Sequence, residues 1–330
     1  MDTVFASCLL DQKTKTLEAP RRWEFSSLSK QKITNAHAIG WHRVGAIFGH
    51  PKPPHKVTER QFDDFDDELR KLAQTPYEKI DFGDLWYYHH DLAYVELQAS
   101  LFQYLFPVCL MDWHLTLMDN QSCSHGDSEF HYGILRGDVL NKMLTDQQRS
   151  EVDLFFRDSF IHRLDAERGL RMVGSGATAH GWMFRLNSLG IVTDLISEVW
   201  DLWWALSTVG RAVSAIQYLS GLMYFDGENP VFDMWTSEKG GGGPYLWEND
   251  SHIYSTGWRD ENVEFLRKSL NYDFAKSHLP KAVDRLKGLP EHTIGEKVLA
   301  DLPERQEIVE SRSSELPTLL SKHGVSGWSV

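Results

Sequence analysis

The chain has 330 residues, enough for one large or two ordinary domains, and with 42% hydrophobic and 25% charged residues it has the composition of an ordinary globular protein. Against 34 basic residues, 47 acidic ones leave a net charge of −13. That balance argues against nonspecific binding to DNA, RNA or an anionic membrane, where a basic surface supplies most of the affinity, and it permits a basic protein partner.

Cys8, Cys109 and Cys123 are an odd trio without CxxC spacing, which suits a reducing compartment better than a disulfide framework. Residues 1–10 have no basic stretch before their short apolar patch, so they do not read as a signal peptide. No run reaches 18 consecutive apolar residues, and a cytoplasmic location is expected.

Residues 1–57 are expected to form short strands and loops, because 41–48 are rich in β-branched and aromatic residues and Gly49-His50-Pro51-Lys52-Pro53-Pro54 is a breaker. Thr58 with Gln61 then forms a candidate capping box. Phe62, Phe65, Leu69 and Leu72 mark the apolar face of a helix ending near Pro76. The other face carries Asp63, Asp64, Asp66, Asp67 and Glu68, a cluster that fits either docking of a basic protein or a plain solvated surface.

Trp86, Tyr87, Tyr88 and Tyr94 interleave with His89, His90 and Asp91. Adjacent residues point in different directions, so both histidines cannot easily share a site with Asp91, and an aromatic surface patch suited to an interface is the better reading. Ser100 with Gln103 opens an apolar helix running to about Met118, in which Pro107 demands a kink or a boundary. The polar segment 123–131 supplies His125, Asp127 and His131, two imidazoles and a carboxylate that can serve a divalent metal if a loop converges them. Their spacing matches no established metal motif. Thr145 with Gln148 opens a helix with Val152, Phe155, Phe156, Phe160 and Leu164 on its buried side.

Tyr77-Glu78-Lys79-Ile80, then Phe102-Gln103-Tyr104-Leu105-Phe106-Pro107, then Leu144-Thr145-Asp146-Gln147-Gln148 before an aromatic helix follow in an order that resembles a small uncharacterised bacterial domain family. The resemblance covers residues 77–157. It implies a mostly helical piece and brings no activity or site residues with it.

Residues 169–176 are glycine-rich and mark an internal boundary, but Gly174-Ser175-Gly176 lacks the G-x-S-x-G of a nucleophile elbow. Residues 182–224 are apolar enough for one long or two consecutive buried helices, with Gly190 and Gly210 as breaks and Trp200, Trp203 and Trp204 as core. From 227 to 257 the composition turns to Gly, Asn, Asp, Trp and Tyr. The run Gly240-Gly241-Gly242-Gly243-Pro244 opens no helix, as a phosphate loop would require. Around it, Trp235, Trp247 and Trp258 beside Asn249 and Asp250 offer flat rings and amide or carboxylate groups to a sugar or peptide. Helices are expected again at 260–270, 279–286 and 294–312.

The expected architecture is mainly α, formally α+β with a small strand-containing N-terminal portion at 1–57. A helical lobe at 58–168 and an aromatic-rich helical lobe at 169–330, with its glycine-rich loop at 237–244, are the bundle-like parts. The expected function is a non-enzymatic protein–protein interaction, of an immunity-type or accessory kind, without a cofactor. The alternatives are a metal-dependent hydrolase centred on His125, Asp127 and His131, and a carbohydrate- or peptide-binding module built on Trp235, Trp247 and Trp258.

Overall fold

Apolar residues recur at helical spacing along most of the chain, and the computed structural model turns these stretches into helices around one shared core. It describes residues 30–118, 125–170, 186, 189–190, 192–224, 228–231 and 258–320. Among the described residues the fold is mainly α, with no strand.

The first group of helices is α1 (Lys30–Phe48), α2 (Asp66–Gln74), α3 (Leu85–Tyr94), α4 (Ala99–Met118), α5 (His125–Arg136) and α6 (Val139–Met143). A long α7 (Asp146–Ala166) follows. The second group is α8 (Ile196–Trp204), α9 (Val209–Met223), α10 (Asp260–Ser269), α11 (Tyr272–Arg285), α12 (His292–Asp301) and α13 (Gln306–Leu320). Helix α7 touches α1 and α4 from the first group and α8 and α9 from the second, so the two groups meet along it.

Local chemistry explains where several helices begin. At α7 the Gln148 N–H donates to Thr145 Oγ1 at 3.2 Å and the Thr145 N–H donates to Gln148 Oε1 at 3.2 Å, a complete reciprocal cap. Thr208 caps α9 by accepting from Arg211 N at 3.2 Å, and Asn271 caps α11 by accepting from Phe274 N at 2.8 Å. The two other expected boxes do not form. Thr58 gives its N–H and its hydroxyl to Gln98 Oε1, at 2.7 and 2.9 Å, and the helix starts only at Asp66. Its first turn holds Asp66, Asp67 and Glu68, where the helix dipole favours negative charge. Ser100 accepts from Gln98 Nε2 instead of capping, and α4 begins one residue earlier, at Ala99.

Residues 41–48 are helical rather than extended. Gly40, Val44, Ile47 and Phe48 lie at helical spacing, Val44 is buried, and Phe48 packs its ring edge against Phe106 at 6.0 Å. Burial against α4 outweighs the strand preference of the individual residues.

Helix α4 continues through Pro107, which is therefore not a boundary. A proline inside a helix costs about 3 kcal/mol. Phe102, Leu105, Phe106, Cys109 and Leu110 are all fully buried, and at about 1.5–3 kcal/mol per buried side chain they outweigh that loss. Gly210 sits inside α9 rather than at a break: a methyl group there would run into the Leu164 and Asp165 carbonyls at the end of α7. The chain instead turns between α8 and α9 at Leu206, whose φ is +50°. Trp200, Trp203 and Trp204 are buried core residues, as their sequence context implies.

Candidate functional site

The segment before α2 is strapped across α3 by side chains rather than by regular structure. Gln98 accepts from Thr58 N, Thr58 Oγ1 and Glu59 N, donates its own N–H to Glu59 Oε2 at 2.5 Å, and donates Nε2 to the Lys56 carbonyl at 2.8 Å. One turn further on, Asp91 Oδ1 accepts the Phe62 N–H at 3.0 Å, and His90 Nδ1 donates to Asp63 Oδ2 at 3.0 Å. Asp64 takes a left-handed φ of +61°, which short acidic side chains tolerate, and its N–H reaches the Gln61 carbonyl at 3.4 Å as the chain turns toward α2.

This strapping turns large rings outward. Phe62 is 55% exposed and stacks on Tyr94, itself 41% exposed, with centroids 4.6 Å apart and planes at 25°. Trp86, 40% exposed, packs on Tyr87 at 5.3 Å and on His90 at 4.5 Å. Phe65 closes on Tyr87 from α2's side, at 4.3 Å. Tyr94 also donates to the Tyr132 hydroxyl at 3.2 Å, and the Arg136 guanidinium lies 4.9 Å from the Tyr94 ring. The expected interface residues Trp86, Tyr87 and Tyr94 therefore share a face with Asp63, Asp64, Asp66 and Asp67. Arg70 pairs with Asp66 at 3.6 Å and with Asp67 at 2.6 Å. Asp64 and Glu68 make no ion pair among the described residues.

Beneath this face the polar groups are buried. Burial, with a smaller contribution from Asp91, raises the Glu59 carboxyl to about 8 against the pull of the Gln98 N–H. Burial also raises Asp91 to about 7; Asp63 and Asp66 add to the rise, while the Phe62 N–H and His90 oppose it. Glu59 Oε1, Gln61 Oε1, Asp91 Oδ2 and the Tyr88 hydroxyl have no hydrogen-bond partner among the described residues. Near neutral pH Glu59 is held largely protonated and Asp91 titrates.

His89 and His90 diverge, as neighbours on a helix must. His89 is buried against Phe130 at 5.1 Å, and burial foremost, then His90 and His131, lowers it to about 3, which keeps it neutral.

The other expected sites fare differently. Segment 125–131 is the start of α5 and not a loop. His131 is buried, edge-on to Trp113 at 6.0 Å and near Phe156 at 6.2 Å. The side chains of His125 and Asp127 lie outside the described residues, and among the described residues no three His, Cys, Asp or Glu side chains gather as metal ligands. Trp258 is buried against Gly190, whose missing side chain leaves room for the indole; that glycine is a packing site and not a break. Trp258 also lines an open cleft of about 760 Å³ with Ile134, Asp138, Asn141, Asp194 and Arg259. Trp235, Trp247, Asn249, Asp250 and the loop 237–244 lie outside the described residues.

Four participants escape a reading of the sequence. Phe62 falls on the apolar face of the expected helix and so looks like core. Gln98 is an ordinary polar residue whose partners lie about 40 positions away. Tyr132 and Arg136 form an i, i+4 pair, the one legible signal that they act together. No helix among the described residues is long and apolar enough to cross a membrane. Comparison with family models, curated proteins and solved structures gives no match to this chain.

Proposed function

We propose that the chain is a non-enzymatic interaction protein that docks a basic protein on the face formed by the 58–67 segment, α2 and α3. The observation that carries this reading is the cluster of Phe62, Trp86 and Tyr94. They are three large exposed rings fixed on one face by their own contacts, beside Asp63, Asp64, Asp66, Asp67 and Glu68. Rings already held in place lose little freedom on binding, and aromatic anchors inside a charged rim are the usual make-up of an interface. The rim attracts cationic side chains and repels phosphate, which favours a basic protein over a nucleic acid.

The test is comparative capture from a native lysate with the intact chain and with a Phe62→Ser, Trp86→Ala, Tyr94→Ala variant shown to keep its melting temperature. The expected result is a basic protein retained by the intact chain at low salt and lost by the variant. An identical set of captured proteins from both would sink the reading.

A further inference from the structure

Between Lys56 and Asp64 the chain forms no helix or strand, and its only buried residues are Glu59 and Gln61, both polar. Val57 is only partly buried against the core. A segment with so little apolar burial rests on its polar anchors, and such elements open before the rest of a fold does.

Two of those anchors are acids. Glu59 Oε2 accepts the Gln98 N–H at 2.5 Å, just before α4, and Asp91 Oδ1 accepts the Phe62 N–H at 3.0 Å from within α3. The second oxygen of each carboxyl, Glu59 Oε1 and Asp91 Oδ2, is buried without a hydrogen-bond partner among the described residues. With its twin occupied by a donor, that oxygen is the one that takes a proton.

The surroundings favour the neutral acids. Glu59 faces Asp91 and the Tyr88 hydroxyl of α3. Asp91 faces Asp63 in the segment, Asp66 at the start of α2 and His90 in α3. From α4, Cys109 faces Tyr88, and toward α5 the neighbouring His89 meets Phe130 and His131. Among the described residues no lysine or arginine pairs with either acid, and Arg60 is exposed. Ionising both therefore places two negative charges beneath the segment, while the nearby His90 imidazole is already bonded to Asp63. Water entering under the segment relieves that cost.

We propose that the 56–64 segment is a proton-operated latch, closed on α3 while Glu59 and Asp91 are neutral and lifted as they ionise, carrying Phe62 away from Tyr94. Burial foremost raises Glu59 to about 8 and Asp91 to about 7, so the closed form binds more protons and is lost as pH climbs through that range.

The test is hydrogen exchange of the full chain, read by mass spectrometry at about pH 6 and about pH 9, which bracket the two titrations, with exchange times scaled to the intrinsic rate at each pH. Peptides covering 56–64 are expected to lose protection by about ten-fold or more at the higher pH, while those of α7 keep theirs. The Glu59→Gln, Asp91→Asn variant, which keeps both acceptors and cannot ionise, should hold the segment closed at both. Unchanged protection in the intact chain, loss shared equally by α7, or the same loss in the variant would each overturn the latch. So would a His90→Gln chain that no longer responds to pH, because the sensor would then be the imidazole. Should the double variant fail to fold, as its circular dichroism would show, Glu59→Gln alone decides, with a smaller response expected. The readout needs no partner, so it stands apart from the docking reading.

Discussion

Asp91, fully buried in α3, accepts the backbone N–H of Phe62 at 3.0 Å, and through that bond the interior of the protein holds in place the most exposed large hydrophobic side chain among the described residues. The surface is thus tied to a carboxyl whose protonation sits near neutrality. Tightening or loosening the tether acts on the ring-bearing face and on stability together.

The first prediction concerns pH. Glu59 and Asp91 are raised in the folded chain to about 8 and about 7 from ordinary values of 4.5 and 3.8. A group raised on folding contributes stability that is complete below its unfolded value and is lost as pH climbs through its folded value. The melting temperature should therefore fall between about pH 4 and pH 8. Glu59→Gln removes one of the two titrations and should flatten that slope. Parallel curves for the intact chain and the variant would refute the assignment.

The second concerns the rim of the docking face. Asp64 and Glu68 are exposed, so neutralising both, as Asp64→Asn and Glu68→Gln, which keeps a residue suited to the left-handed turn at 64, should change stability by no more than about 0.5–1 kcal/mol. Association with the captured basic partner should slow at low ionic strength. The difference should shrink as salt is raised toward 1 M, where screening acts within about 3 Å. Stopped-flow rates at two salt concentrations check this; a slowdown that ignores salt would contradict it.

The third tests helix packing. A methyl group at Gly133 would sit 2.6 Å from the His89 carbonyl, and one at Gly137 would run into the Leu92 carbonyl, so these two glycines one turn apart let α5 lie against the α3 backbone. Gly133→Ala and Gly137→Ala should each cost about 1–3 kcal/mol. Gly45, inside α1, is the contrast: its nearest neighbour would be 3.7 Å away, and Gly45→Ala should stabilise by about 0.4–1 kcal/mol. Denaturant midpoints for the three variants settle the ordering.

The fourth concerns a buried ion pair. Arg163 Nη2 and Glu167 Oε2 are 2.8 Å apart, and both side chains are almost wholly enclosed. Glu167→Ala takes one carboxylate from the enclosed guanidinium and should cost about 1.5–3 kcal/mol. The Glu167→Ala, Arg163→Met double variant should cost less than the two single changes summed, because both act on the same pair. Strict additivity of the two would contradict this account.

Why some of this was legible and some not comes down to range. Thr145 and Gln148 hold both halves of a cap within four residues, and the structure forms it as read. Thr58 and Gln61 look equivalent, but Gln98 captures Thr58 first, and no local pattern shows that competitor. Residues 41–48 carry strand-forming side chains whose fate is decided by α4, more than 50 positions downstream. At the face formed by the 58–67 segment and α3 the acids and rings are visible as composition. The outward turn of Phe62 is not, because it depends on a buried carboxyl 29 residues away.

Cys109 gives the interior a built-in clock. Its thiol is fully enclosed in α4, and burial pushes its ionisation well above the usual range, so the thiolate that alkylating reagents require does not form while the helix stays in place. Modification at that sulfur, located by peptide mass, then proceeds only as fast as α4 departs from its neighbours. Its rate reports how readily the molecule opens, at a residue the chain already carries.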